Sequence, residues 1–269
     1  MSGGAPLLGV SGLTVAFGGL VAVNDLALEV AEGSAHGLIG PNGAGKTTAF
    51  NLVSGLYRAD RGAIRLGGVE LAGRPTWERA EAGLARTFQN IRMFGDMTAL
   101  ENVMAGAHRR TPTGLAASLL RTPAFRDAER HAVAHAMRLL ALVGLSEAAH
   151  RPAGGLPYGD QRRLEIARAL ASEPKLLMLD EPAAGMNPSE TARLVDLLDE
   201  IKASGVTLLI VEHDMHFIMR LCDRITVLNF GRKIAEGPPA AIRRDPAVIE
   251  AYLGAKVAQS LDVGAGAGA

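Results

Sequence analysis

The first third of the chain is built from short apolar or alternating runs, LTVAFG, LALEV, HGLIG and AIRLGG, separated by Gly, Asn-Asp and Glu-Gly turns. Runs of this length bounded by turn residues predict strands. HGLIG passes directly into PNGAGKTTAFNLVSGL, a glycine-rich loop followed by helical spacing. From about Asn90 to Gly155 the pattern changes to Ala, Leu, Met and Arg at helical intervals, interrupted by RRTPTG and RTPAF. PKLLMLD and GVTLLIVEHD are then unbroken apolar runs, the pattern of parallel strands buried on both faces. RITVLNFGRKIAEG reads as a hairpin turning at Phe230–Gly231. The final LDVGAGAGA is low in complexity and is expected to be disordered. No internal repeat occurs. The pattern predicts an α/β core with an antiparallel β layer near the N-terminus and a helical insert.

Composition narrows the picture. At 269 residues the chain suits one large domain or two small ones with a sizeable core. Lys plus Arg and Asp plus Glu both number 28, so the formal charge is zero. Basic pairs are short, as at Arg109–Arg110 and Arg243–Arg244, which counts against nucleic acid as the main partner. Cys222 is the single cysteine, so no internal disulfide can form and a reducing compartment fits. The start, MSGGAPLLGVSG, lacks the basic and apolar regions of a signal peptide. No apolar run is long enough to span a bilayer. A soluble, cytoplasmic chain is expected, with any membrane role exerted through a partner.

The chemistry begins at Gly40–Thr48, GPNGAGKTT, which satisfies G-x-x-x-x-G-K-[ST] between a predicted strand and a predicted helix. Gly40, Pro41, Asn42, Gly43, Ala44 and Gly45 would wrap an anion, with N–H groups from Asn42 to Thr48 converging on a phosphate at the helix N-terminus. Lys46 would bridge the β- and γ-phosphates, and the Thr47 hydroxyl would take a Mg²⁺ position. Asp180 ends LLMLD and Glu181 follows it, on the ligand edge of such a sheet. Asp180 suits the Mg²⁺ shell and Glu181 a water-polarising base. His213 ends TLLIVEH and reaches the same edge. Gln89, in RTFQN, reads by itself as polar surface, and Phe17, before Gly18–Gly19, as either core or a stacking surface for adenine.

Residues 156–170, LPYGDQRRLEIARAL, read as a tight turn feeding a helix, with Gly159 and Asp160 at the expected cap. Together these motifs resemble the ATP-binding subunit of an ABC transporter over about residues 7–254: aromatic Phe17, Walker A at 40–48, Q-loop Gln89, a signature helix from 156, Walker B at 176–181 and switch His213. RTFQNIRMFGDMTALENV, YGDQRRLEIARAL, LDEPAAGMNP and VIEAYLG are similar to the ATPase subunits of bacterial branched-chain amino acid importers. The insert HRRTPTGLAASLLRTPAFRDAERHA favours the longer of the two paralogues.

The resemblance implies a P-loop NTPase of the ABC ATPase fold and one nucleotide-binding domain. Its core and β layer would cover about 7–89 and 159–237, its helical subdomain about 90–158 and a C-terminal helical segment 238–254, with 255–269 as a tail. It implies ATP and Mg²⁺ as cofactors, with Gln89 joining Thr47 and Asp180 at the metal, and Glu181 and His213 as the catalytic pair. It implies a head-to-tail dimer with an identical or paralogous subunit, in which Leu156, Pro157, Tyr158, Gly159 and Asp160 act on the partner's ATP. Two membrane permease subunits would be engaged near Gln89–Met97, where Ile91, Met93 and Phe94 are apolar. An extracytoplasmic binding protein would act indirectly, and the chain would sit on the cytoplasmic face of the plasma membrane.

One segment departs from the family pattern L-S-G-G-Q. Pro157 lacks both the serine hydroxyl and a backbone N–H, and Asp160 brings charge to a helix start meant for phosphate. The expectation is an asymmetric pair with the partner's ATP site the weaker; the competing reading is that Gly159 and the helix dipole suffice. A chromosome or DNA-repair ATPase shares these motifs, but no sustained heptads or cysteine pairs occur between Lys46 and Tyr158. A nucleotide kinase would leave the signature segment and His213 idle. An importer for another amino acid, an amide or urea remains the alternative on substrate.

Overall fold

The computed structural model describes residues 6–107 and 123–253. RRTPTG, the start of RTPAF and the LDVGAGAGA tail lie outside the described residues. In chain order the first stretch forms β1 (Leu8–Phe17), β2 (Leu20–Val30), β3 (Ala35–Ile39), α1 (Lys46–Ser54), β4 (Arg61–Leu66), β5 (Val69–Glu70) and α2 (Thr76–Glu81). The middle stretch forms β6 (Leu84–Arg86), α3 (Ala99–Ala107), α4 (Pro123–Leu142), α5 (Tyr158–Leu170), β7 (Leu176–Asp180) and α6 (Pro188–Ala203). The last forms β8 (Thr207–Val211), α7 (Met215–Leu221), β9 (Arg224–Asn229), β10 (Arg232–Gly237) and α8 (Pro239–Ile242), and residues 246–253 are also helical. The described residues up to Ala82 and from Lys202 form one compact unit, and Gly83–Ile201 form another.

The first unit carries the antiparallel sheet β2-β1-β4-β5 and a second strand set, β10-β9-β3-β8. β3 runs parallel to both β8 and β9, and β10 returns antiparallel on β9 through the Phe230–Gly231 turn read from the sequence. β3 and β8 are buried along their whole length, which is why HGLI and TLLIV carry no outward polar alternation. Phe50 of α1 and Phe217 of α7 are wholly buried, each contributing about 1.5–3 kcal/mol of apolar transfer.

In the second unit β6 pairs parallel with β7, Leu84 facing Leu176 and Arg86 facing Met178. β7 is buried throughout and ends on Asp180. α3 starts with a reciprocal cap, Thr98 N–H donating to Glu101 at 2.8 Å and Glu101 N–H donating to the Thr98 hydroxyl at 3.2 Å. α3 packs against α4 and α5. α6 starts with the same device: the Asn187 side chain accepts from the Ser189 and Glu190 amides, and Glu190 accepts from the Asn187 amide at 2.9 Å. The start of α5 corrects the sequence reading. Its cap residue is Pro157, whose carbonyl accepts from the Asp160 and Gln161 amides at 2.9 and 3.0 Å. Asp160 therefore lies inside the first turn and does not cap the helix. Proline's fixed φ and missing N–H suit the position where no intrahelical donor is needed.

Candidate functional site

The glycine-rich loop and α1 are built as the sequence predicts. Gly45, in the left-handed region at φ 95, caps α1, and a Cβ there would meet the Ala22 carbonyl at 2.5 Å. Only glycine lets the loop backbone lie this close to β2. The Lys46 ammonium donates to the carbonyls of Gly40 and Pro41, at 2.7 and 2.9 Å, so the loop holds its cation folded over itself. A cavity of about 420 Å³ opens above it, lined by Gly43–Thr48, by Phe17, Leu20, Val21 and Ala22, and by Phe230 and Gly231. Phe17 is half exposed on this cavity and packs edge-on against Tyr57, with ring centroids 5.5 Å apart. Of the two readings open for Phe17, its exposure sets aside the core one.

His213 lies exposed at the end of β8. Its amide donates to the buried Glu212 carboxylate at 2.7 Å, and its Nδ1 is 3.4 Å from the same oxygen. Glu212 also accepts from the Asp214 amide, and Asp214 caps α7 through the His216 and Phe217 amides. The sequence reading missed Glu212. A buried acid next to the candidate histidine fixes the turn that presents it.

In the second unit the Walker B carboxylates meet the end of β6 and the segment that leaves it. Arg86 Nη2 donates to Asp180 Oδ2 at 2.7 Å, with both side chains under a tenth exposed. Gln89 Nε2 donates to Glu181 Oε2 at 3.0 Å. Glu181 is held at φ 46, an uncommon conformation for a glutamate. The structure therefore joins Gln89 to Glu181, the candidate base. Arg86 escaped the sequence reading; its only sequence signal is an arginine inside the short apolar strand LAR.

The helix α5 grips the same segment from its other end. Arg162 Nη1 donates to the Phe88 carbonyl at 2.7 Å and Nη2 to the Gln89 carbonyl. Glu165 lies beside Arg162, both almost fully buried, and accepts from the Phe88 amide at 3.4 Å. Burial pushes the Glu165 carboxyl upward, opposed by the Phe88 amide and by Arg162 and Arg168. The signature helix and the Q-loop are thus one hydrogen-bonded body. Asn102, wholly buried, continues this: it accepts from the Phe94 amide and donates to the Phe94 carbonyl, both at 3.0 Å. Phe94 itself is left exposed beside a cleft of about 680 Å³ lined by Arg92, Met93, Ala105, Gly106 and Arg168.

At the signature start Leu156 is buried and Tyr158 half exposed, with the Arg162 guanidinium 5.6 Å from its ring. Asp160 pairs with Arg163 at 2.6 Å, so its charge is largely answered within the turn. The Gln161 side chain turns back to the Leu156 carbonyl at 2.8 Å. Gly159 lies against α6, where an added Cβ would come within 3.4 Å of Glu190.

Thr47, exposed in the first unit, and Asp180, buried in the second, each carry a hard oxygen of the kind Mg²⁺ takes, and among the described residues no group of three or more His, Cys, Asp or Glu could hold a metal alone. Oxygens of this kind take Mg²⁺ together with nucleotide phosphates, whose charge the metal then neutralises.

The profile of the ABC transporter family matches residues 23–184, and that of the branched-chain amino acid ATP-binding cassette transporters matches residues 232–258. The chain belongs to the ABC transporter family of ATP-binding cassettes, and as a member of it is an ATP hydrolase with the P-loop ABC ATPase fold. Within that family it is similar to the high-affinity branched-chain amino acid transport ATP-binding protein BraF of Pseudomonas aeruginosa, with 51% identity over 250 residues, 93% of this chain and 98% of that one. LivG of Escherichia coli K12, which carries the same description, is 49% identical over the same shares. Among solved structures, the ADP conformation of an ABC transporter's ATP-binding cassette superposes with a TM-score of 0.80 at 30% identity, covering 93% of this chain and all of that one. A nucleotide-free cassette gives the same score and identity.

Proposed function

We propose that this chain hydrolyses ATP to power import of branched-chain or other hydrophobic amino acids through an ABC transporter. What carries the reading is the near-50% identity, almost end to end, to ATP-binding proteins of branched-chain amino acid transport. In this reading the Gly40–Thr48 loop and Lys46 hold the phosphates and Phe17 supports the base. Asp180, Thr47 and Gln89 serve the Mg²⁺, Glu181 orients the attacking water and His213 contacts the γ-phosphate. Nucleotide entry draws Lys46 from the Gly40 and Pro41 carbonyls toward phosphate. The chain pairs head to tail with an identical or paralogous cassette, Leu156–Asp160 serving the partner's ATP. The cleft beside Phe94 receives a membrane permease subunit, which suits an exposed aromatic flanked by Arg92 and Arg168. Among the described residues no helix is long and apolar enough to cross a membrane, consistent with peripheral attachment through such a subunit.

The test is ATP-driven uptake in vesicles carrying the chain, its permease subunits and a binding protein loaded with leucine. Leucine uptake lost in Lys46→Ala is expected. Uptake of an amide or urea with leucine ignored would replace the substrate class and leave the ATPase assignment standing.

A further inference from the structure

The nucleotide cavity has an aromatic lining residue that the motifs do not account for. Phe230 forms the turn between β9 and β10, is 84% exposed, and sits at φ 46. Turn chemistry favours Asn, Asp or Gly in that conformation, and a bulky aromatic there is both strained and poorly hydrated. Neither turn formation nor core packing therefore explains the residue.

The turn is also fixed in place. Gly231 N–H donates to the Ala44 carbonyl at 3.0 Å, and Asn24 N–H donates to the Gly231 carbonyl at 2.8 Å. A Cβ on Gly231 would meet the Ala22 carbonyl at 2.7 Å, and Gly231 Cα lies 3.3 Å from where a Cβ on Gly45 would fall. The turn, β2 and the phosphate loop are thus three backbones in direct contact, joined to the loop at Ala44. Phe230 is the side chain this clamp presents to the cavity, whose remaining non-loop lining is Phe17, Leu20, Val21, Ala22 and Gly231.

We propose that Phe230 is a second nucleobase-contacting residue, which holds the base of the bound nucleotide by its π-face and acts with Phe17 to fix the base relative to the phosphate loop. Stacking of this kind tolerates any base, because every base offers a π-face. Through the Gly231–Ala44 hydrogen bond, the same turn ties base position to loop geometry. The proposal rests on the reading of this cavity as the nucleotide site.

The experiment measures dissociation constants of the full chain for ATP, GTP and inorganic tripolyphosphate, in the wild type and in Phe230→Ala, Phe230→Asn and Lys46→Ala. Phe230→Asn places a residue suited to positive φ at the turn, so its fold is preserved. Both Phe230 variants are expected to weaken ATP and GTP about 5- to 50-fold while leaving tripolyphosphate unchanged. ATP affinity within twofold of wild type, or a parallel loss for tripolyphosphate, overturns the proposal. Full ATP affinity in Lys46→Ala would instead overturn the reading of the cavity itself.

Discussion

Replacing Arg86 by methionine tests whether the Walker B aspartate is held by an ion pair before metal and nucleotide arrive. Asp180 and Arg86 meet at 2.7 Å with side chains only 7% and 8% exposed. Deleting one partner of a buried pair leaves an uncompensated charge and costs about 3–5 kcal/mol. The lower end applies here, because both side chains keep some contact with solvent, so about 3 kcal/mol is expected. For a chain of this size each kcal/mol moves Tm by about 2–4 °C, which gives a fall of about 6–12 °C without metal. In the proposed function Mg·ATP brings positive charge to Asp180, so it should stabilise Arg86→Met by more than it stabilises the wild type. Arg86→Lys should fall between the two, since an ammonium restores the charge without the guanidinium geometry. The assay is thermal unfolding in EDTA and in saturating Mg·ATP. A Tm in EDTA within about 2 °C of wild type, or an equal Mg·ATP increment in both proteins, would refute the pairing as an energetic feature.

Glu181→Gln should lower hydrolysis by about 10²–10⁴-fold, the usual contribution of a general base, while ATP still binds and traps a dimer visible by light scattering. Brisk turnover by that variant removes Glu181 from the role. Pro157→Ser supplies a hydroxyl and an N–H at the start of α5 and should raise turnover at the partner's ATP site by up to about 10²-fold. The same change gives α5 a side-chain cap worth about 0.5–2 kcal/mol, so a gain in Tm without a gain in turnover would leave the stability argument and end the asymmetry one. His36, buried in β3 and 2.9 Å from the Thr226 hydroxyl, is lowered by burial from 6.5 to about 4. Neutral His36 thus stabilises fully above pH 6.5, and that stability is lost as pH falls from 6.5 toward 4, by about 2 kcal/mol at pH 5. Urea unfolding at pH 7 and pH 5 should show this loss in the wild type, and His36→Gln should remove that part of the slope.

What the sequence disclosed and what it hid divide along a physical line. The phosphate loop, the buried strands and the strand-end position of Asp180 were legible because each depends on neighbours in sequence: glycine at positive φ, unbroken apolarity, a carboxylate at a run's end. Arg86 and Glu165 were not, because a charged residue carries a surface expectation that only a non-local partner can overturn. Their partners come from strand pairing and from the Q-loop backbone, 94 and 77 residues away. Asp160 was misplaced for a subtler reason. An acidic residue is favoured both at a helix cap and in the first turn, and only the conformation of Pro157 decides between them. The departures from local rule were themselves informative. Of four non-glycine residues with positive φ among those described, one is Glu181 and another is Phe230. The near-fully buried Arg162–Glu165 pair belongs to the same set of costly choices. Glu181, Phe230 and the Arg162–Glu165 pair lie on segments that the proposed function gives to nucleotide or to the signature helix, where strain and buried charge are tolerated because geometry matters more than stability.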